Sequence, residues 1–366
     1  MTKLFYNVLS DSDLNKDVIS KELFTNEFTI SKVLNSLENF VPWANRDDLG
    51  TVEERQFALY FKCRPVDRTR KLKQSREYEI LSEIPKGTTD LTFDEIVYKA
   101  VDKVIEESKG RDIHLLWSGG IDSTSVLYAL LERDVDLTVI MDNNSKNEYP
   151  DLFNFINNGY VPIIGKSQPI RVKSLFDSAF LSKVNVPELA KNPRNYFVTG
   201  EIGDQIFGSH ITFSYKPEYR HDLSCRHIPI NIYEFMEETI SQVIPDYYNS
   251  TLAQWLWAAN FTCKYQHVLT RMTKGFYIAN FEPFLNCTHF FDTENFQRWA
   301  MQNYKKNCDW SEDSNYKERL KRYILKCNGD KDYYEKKRKV GSLIQSNYNR
   351  IDAERYLNYP IDNGSN

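Results

Sequence analysis

The sequence predicts an α/β protein built on a parallel sheet, with a mostly helical C-terminal part and a small N-terminal region. Three observations carry this expectation. Between residues 113 and 200, short apolar runs alternate with segments of helical period. A glycine pair joins the first of those runs to a helix, in "LLWSGGIDSTSVLYALL" (115–131). After about residue 231, residues such as Trp255, Trp257 and Phe261 recur at helix-compatible spacing, with few strand signals.

The first ninety residues mix aromatic runs such as "FALYFKC" (57–63) with charged stretches such as "RTRKLKQSREYE" (68–79). Alternation at 56–62 reads as a strand, but no topology follows, so 1–90 is an N-terminal region of uncertain fold. "EIPKGTTDL" (83–91) has the Pro, Gly and Thr content of a linker. Residues 91–366 read as one unit, with an α/β core over about 91–230 and a mostly helical part over about 231–357. Its opening helix is the clearest in the chain. Phe93, Ile96, Val97, Ala100, Val101, Val104 and Ile105 repeat at helical spacing, and Thr92 with Glu95 makes a capping-box pattern. "IHLLW" (113–117) is a buried strand, 122–132 a helix and "LTVIM" (137–141) a second strand. A helix follows from Asp151, then "YVPIIG" (160–165) as a third strand, "YFVTG" (196–200) as a further one, and a helix near Gly203.

Composition sets bounds. The 366 residues are 41% hydrophobic and 27% charged with a net charge of −4, so nothing global calls for a nucleic-acid or membrane partner. Six cysteines (Cys63, Cys225, Cys263, Cys287, Cys308, Cys327) are scattered without C-x-x-C spacing, which suits a reducing compartment. The first residues lack an apolar signal core, and no run is long enough to span a bilayer, so a cytoplasmic protein is expected. Six histidines (His114, His210, His221, His227, His267, His289) show no ligand spacing and read as structural.

Chemistry concentrates at "SGGIDS" (118–123). At the carboxyl end of a parallel strand, glycines let backbone approach an anion, and the N–H groups of the following helix point toward negative charge. Ser118, Ser123 and Thr124 add hydroxyls, and Asp122 offers a hard oxygen suited to Mg²⁺ on a polyphosphate. The lysine of a Walker loop is missing. The plain alternative is a tight strand–helix turn with Asp122 as a helix cap.

"SGGIDSTS" (118–125) is similar to the signature of the PP-loop ATP pyrophosphatases, whose adenine nucleotide alpha-hydrolase-like fold cleaves ATP between the α- and β-phosphates. "TGEIGDQIFGSH" (199–210) is similar to the asparagine synthetase pattern S/T-G-E-G-x-D-E-x-F-G-G. Over about 92–342 the chain therefore resembles the synthetase domain of asparagine synthetase without its glutaminase domain. The resemblance implies an ATP-dependent, AMP- and pyrophosphate-forming amide ligase that adenylates a carboxylate for attack by ammonia or an amine. It implies nucleotide contacts at Trp117, Ser118, Gly119, Gly120, Asp122, Ser123, Thr124, Ile140, Thr199 and Gly200. Asp122 and Asp204 would hold Mg²⁺, and Glu201 would lie near the intermediate. Lys339, in "KKRKVG" (336–341), would stabilise charge on the transferring phosphates. That run is otherwise a solvated charged stretch or an anion patch.

The chain also departs from the family. "ANFEPFLN" (279–286) stands where the family has E-x-R-x-P-F-L-D, with Ala279, Phe281 and Asn286 replacing charged residues and Glu282 off register. Gln205 replaces an acid beside Asp204. Residue 2 is threonine rather than the catalytic cysteine of glutamine-dependent members, so glutaminase activity is expected to be absent. Two other readings stay open. A PP-loop enzyme could adenylate a nucleobase or tRNA carbonyl, with the basic segments 68–76 and 336–339 as contacts. A homologue could also bind nucleotide without turnover.

Overall fold

A computed structural model gives the chain's architecture over residues 51–337, with 52, 55–56, 58–60, 62–64, 76, 176–185, 209–229, 274–284 and 309–315 outside the described residues, as are 1–50 and 338–366. Helix α1 (Phe93–Ser108) begins at the expected capping box: Thr92 accepts from the Glu95 N–H while the Glu95 carboxylate accepts from the Thr92 N–H. Such a cap contributes about 1 kcal/mol. Phe93, Ile96, Val97, Ala100, Val101 and Val104 form the buried stripe, whereas Ile105 is exposed.

Among the described residues five strands form one sheet: β1 (Asp112–Leu116), β2 (Leu137–Asp142), β5 (Arg171–Leu175), β6 (Asn195–Thr199) and β7 (Cys287–His289). Their order is β5-β2-β1-β6-β7, and every pairing is parallel. β1 from Ile113 onward and all of β6 are buried, as a parallel sheet covered on both faces requires. The chain runs from β1 outward to β2 and β5, then returns to place β6 on the other flank of β1. This reversal is a topological switch point, where open α/β sheets bind ligands at the carboxyl ends of their strands.

Helix α2 (Ile121–Glu132) follows β1 and is buried along nearly its whole length. It lies against the sheet and is covered by α11 (Glu318–Asn328). Helices α3 (Asn143–Glu148) and α4 (Pro150–Asn157) follow β2, α5 (Val186–Lys191) precedes β6, and α6 (Gly203–Phe207) follows it. The later part is helical: α7 (Ile230–Ser241), α8 (Leu252–Ala259), a π turn (Asn260–Lys264), α9 (Tyr265–Thr273), α10 (Glu294–Asn307), α11 and α12 (Lys331–Lys336).

Two expectations are corrected. Residues 160–165 do not join the main sheet: β3 (Tyr160–Ile163) pairs antiparallel with β4 (Lys166–Pro169) in a separate hairpin, and β5 takes the place beside β2. β5 was hidden because its sequence "RVKSL" carries the charges of an edge strand. The strand expected at 56–62 is helical where described, with Phe57 and Phe61 stacked at 4.2 Å between ring centroids. Positions four apart share a face in both helix and strand, so a short run cannot separate the two. The later part, mostly helical as expected, also contributes the short strand β7 to the sheet.

Residues 65–84 strap onto the helical part. Val66 N–H and Arg68 N–H donate to the carbonyls of Cys263 and Thr262 in the π turn. The Arg68 guanidinium is buried and lies 3.7 Å from the Tyr265 ring centroid. It donates to the Phe261 carbonyl at 3.0 Å, to Ser82 O at 2.7 Å, to Glu83 O at 3.2 Å and to Gln297 Oε1. A π turn departs from the regular helical ladder, and this strap donates to three of its carbonyls, those of Phe261, Thr262 and Cys263. Arg68 is thereby removed from any nucleic-acid contact face.

Candidate active site

The carboxyl ends of β1 and β6 each carry a glycine turn, and adjacency of the two strands brings the turns together. In the first turn Gly119 has φ +77°, and a Cβ there would lie 2.4 Å from the Ser145 carbonyl oxygen. Both conformation and space demand glycine. Ser118 N–H donates to Ser123 Oγ at 3.2 Å, and Ser123 Oγ donates to the Gly120 carbonyl at 3.2 Å. Gly120 is the N-cap of α2 and makes no side-chain cap bond. Asp122 sits in the first turn of that helix rather than at its cap, which answers the alternative raised by the sequence.

Trp117 and Ile140 support the turn from below. The Trp117 indole is buried and donates to Thr124 Oγ1 at 3.1 Å, and its backbone N–H bonds the Ile140 carbonyl. Thr124 and Ser123 are both buried, so of the three hydroxyls only that of Ser118 is partly exposed.

The second turn interlocks with the first. A Cβ on Gly200 would lie 2.7 Å from Ser123 N, and one on Gly203 would lie 2.5 Å from both Cγ and Oδ1 of Asp122. Bare backbone at these two positions lets the Asp122 carboxylate lie against the start of α6. Ile202, the N-cap of α6, has φ +71° and stands where the pattern S/T-G-E-G-x-D-E has glycine. The left-handed conformation costs about 1–2 kcal/mol. Burial of the side chain, 1% exposed, contributes about 1.5–3 kcal/mol and outweighs it.

Asp122 and Asp204 meet at Lys317. The Lys317 ammonium donates to Asp122 Oδ2 and, at 2.6 Å, to Asp204 Oδ1. Its side chain is 2% exposed, whereas those of Asp122 and Asp204 are 22% and 35% exposed. The cation is thus sealed in, and the carboxylates keep an open side. Burial pushes the Lys317 pKa down, but Asp122 and Asp204 push it up and win, holding it well above the ordinary lysine value. Nothing local in the sequence singled out Lys317. It precedes α11 in left-handed backbone, φ +49°, within a charged stretch.

Thr199, Glu201 and Gln205 are held by neighbours that the sequence reading passed over. His289 Nε2 lies 2.9 Å from the Leu269 carbonyl, which makes that nitrogen the donor. Nδ1 is then an acceptor for the Thr199 hydroxyl at 2.6 Å, and Thr199 Oγ1 in turn accepts from the Glu201 N–H at 3.2 Å. His289 therefore orients the Thr199–Glu201 turn. Gln205 donates to Asn260 Oδ1 at 3.0 Å, and Asn260 donates to the Asp204 carbonyl at 3.1 Å. The amide that replaces an acid is thus buried against Asn260, which holds the Asp204 carbonyl from the π turn.

Of the remaining expected residues only Asn286 is placed, and it lies apart from this centre. Lys339, Ala279, Phe281 and Glu282 lie outside the described residues. Described structure reaches Lys337, whose ammonium donates to Glu148 at 2.7 Å, beside the packing site of Gly119. Asn286 accepts from Arg111 and donates to the Pro193 and Asn195 carbonyls, so it clamps the edge of the sheet.

The two carboxylates fit a divalent ion: an ammonium already bridges them, and their open side would leave room for further ligands. Among the described residues no cluster of three or more His, Cys, Asp and Glu is placed to hold a metal. An ion here would complete its shell with phosphate and water, as Mg²⁺ commonly does. No helix among the described residues is long and apolar enough to cross a membrane. No protein-family model matches the chain, and no curated protein matches it. The site is a glycine turn and a carboxylate pair at the switch point of a parallel sheet.

Proposed function

We propose that the protein is an ATP-dependent, AMP- and pyrophosphate-forming amide ligase of the PP-loop fold, with chemistry like that of the asparagine synthetase domain. One observation carries the reading: Asp122 and Asp204, from turns after neighbouring strands, share a single cation beside the open N-terminus of α2. That pairing suits the pyrophosphate end of ATP. Gly119, Gly120 and the N–H groups opening α2 receive the phosphates, with the Ser118 hydroxyl beside them and the buried Ser123 hydroxyl holding the turn. Mg²⁺ held by Asp122 and Asp204 would neutralise phosphate charge. The residues Trp117, Thr124 and Ile140 keep the turn in shape, and Thr199 and Gly200 close it from the β6 side.

In the proposed reaction a substrate carboxylate oxygen attacks the α-phosphorus, the bond to the bridging oxygen breaks, and pyrophosphate leaves. An amine then attacks the acyl carbon, and AMP leaves with the former carboxylate oxygen as the amine loses a proton. Glu201 is assigned to the acceptor side, to orient the intermediate or the amine. Lys339 is assigned to stabilise charge on the transferring phosphates. The partners are a small carboxylate and ammonia or an amine.

Measuring AMP and pyrophosphate from ATP across a panel of carboxylic acids and amines tests this. At least one pair should give equimolar AMP and pyrophosphate in the wild type and none in Asp122→Ala. No release with any pair, together with unchanged ATP binding by Asp122→Ala, rejects the proposal.

A further inference from the structure

Lys317 does more than neutralise. We propose that it is a tethered stand-in for the divalent ion, closing the Asp122–Asp204 pair to free metal and yielding it only to a metal that arrives with a polyphosphate. This rests on the nucleotide reading above. Three observations point to it. The ammonium bridges both carboxylates, the position that a shared cation would take. Its root is fixed: Leu320 N–H and Lys321 N–H both bond the Lys317 carbonyl, so only the side chain can move. The ammonium is sealed while the acids are not, so a free ion that displaced it would leave a buried positive charge without its two acceptors.

A polyphosphate changes that balance. Seated on the 118–123 turn, its oxygens would lie beside Asp122 and could accept the ammonium as the metal takes the carboxylates. Charge is conserved around Lys317 only when metal and phosphate enter together. Aqueous Mg²⁺ gives up its water shell reluctantly, and two carboxylates alone are a poor inducement. Metal and nucleotide should therefore bind cooperatively, by a factor of about 10–100.

Mn²⁺ binding to the full chain, followed by electron paramagnetic resonance, tests this without turnover. Without nucleotide, Lys317→Met should bind one Mn²⁺ at least about tenfold more tightly than the wild type. Its melting temperature should rise with Mn²⁺, and Asp122→Asn in the same chain should abolish both effects. Equal Mn²⁺ affinity in wild type and Lys317→Met, or no binding by either, overturns the proposal. Should Lys317→Met fail to fold, the wild type decides: Mn²⁺ must bind at least about tenfold more tightly with α,β-methylene-ATP than without it, and equal affinity overturns the proposal. Failure of the nucleotide reading is seen separately, as absence of MgATP binding by the wild type, and leaves the nucleotide-free comparison to judge Lys317.

Discussion

Gly203→Ala separates the fold from the function more sharply than any other single change. A Cβ at 203 would lie 2.5 Å from Cγ and Oδ1 of Asp122, so the carboxylate must retreat by about 0.9 Å to reach an ordinary 3.4 Å contact. The obstacle is a side chain rather than backbone, so Cγ and Oδ1 can turn away, against the burial of Oδ1 and the 3.0 Å contact to Cβ. Alanine also favours the helical backbone of α6 by about 1 kcal/mol over glycine. Folding stability should hence change by less than about 1 kcal/mol. Chemistry should not survive so well, because misplacing a group by about 1 Å can cost about 10²-fold, equivalent to about 2.7 kcal/mol of barrier. The assay pairs a denaturant melt with pyrophosphate release from ATP. Gly110→Ala supplies the opposite pattern: φ is +75° with open space around the Cβ, so stability should fall by about 1–2 kcal/mol while release is unchanged. Gly203→Ala with release within twofold of wild type would refute the placement of Asp122 at the reacting phosphates.

Other expectations follow from the charges. Asp122→Asn and Asp204→Asn each leave Lys317 one carboxylate, and each should unfold only modestly earlier in urea; the double variant strands a buried ammonium and should cost about 3 kcal/mol or more, beyond the sum of the singles. Arg68→Lys cannot supply a guanidinium fork to four acceptors and should lose at least about 2 kcal/mol by chemical denaturation, with nucleotide binding unchanged in the folded fraction. His267 is buried, and burial first, then Lys264, pushes its pKa down to about 3 from 6.5. Between those values the unfolded chain takes up a proton that the folded chain refuses, so stability falls as pH drops through that window. Replacing His267 with Gln should flatten the wild-type profile there by up to about 1.4 kcal/mol per pH unit, measured as unfolding free energy against pH.

Local patterns were legible and distant ones were not. The capping box of α1, the buried run of β1 and the glycine turn before α2 each depend on residues a few positions apart, and each was found where expected. The pairing of Asp122 with Asp204 could be anticipated because both follow strands of one parallel sheet. Lys317 could not: its partners lie 195 and 113 residues away, and a lysine in a charged stretch reads as solvated. Arg68 misled in the same way, since its acceptors include Gln297, 229 residues distant. Gln205 looked like a lost acid, but in the fold it is an amide braced against Asn260 in a π turn. His289 reads as structural, but the sequence does not say what it supports: on β7 it lies against Thr199. Single residues announce burial or partnership only through contacts the chain makes far from them.

A crystal structure with Mg²⁺ and α,β-methylene-ATP, which cannot be cleaved between the α- and β-phosphates, tests the central claim most directly. The metal should lie between Asp122 and Asp204, the β- and γ-phosphates against the backbone of 118–123, and the Lys317 ammonium on phosphate oxygen. A nucleotide seated elsewhere, with Asp122 and Asp204 still clasping Lys317, would contradict it.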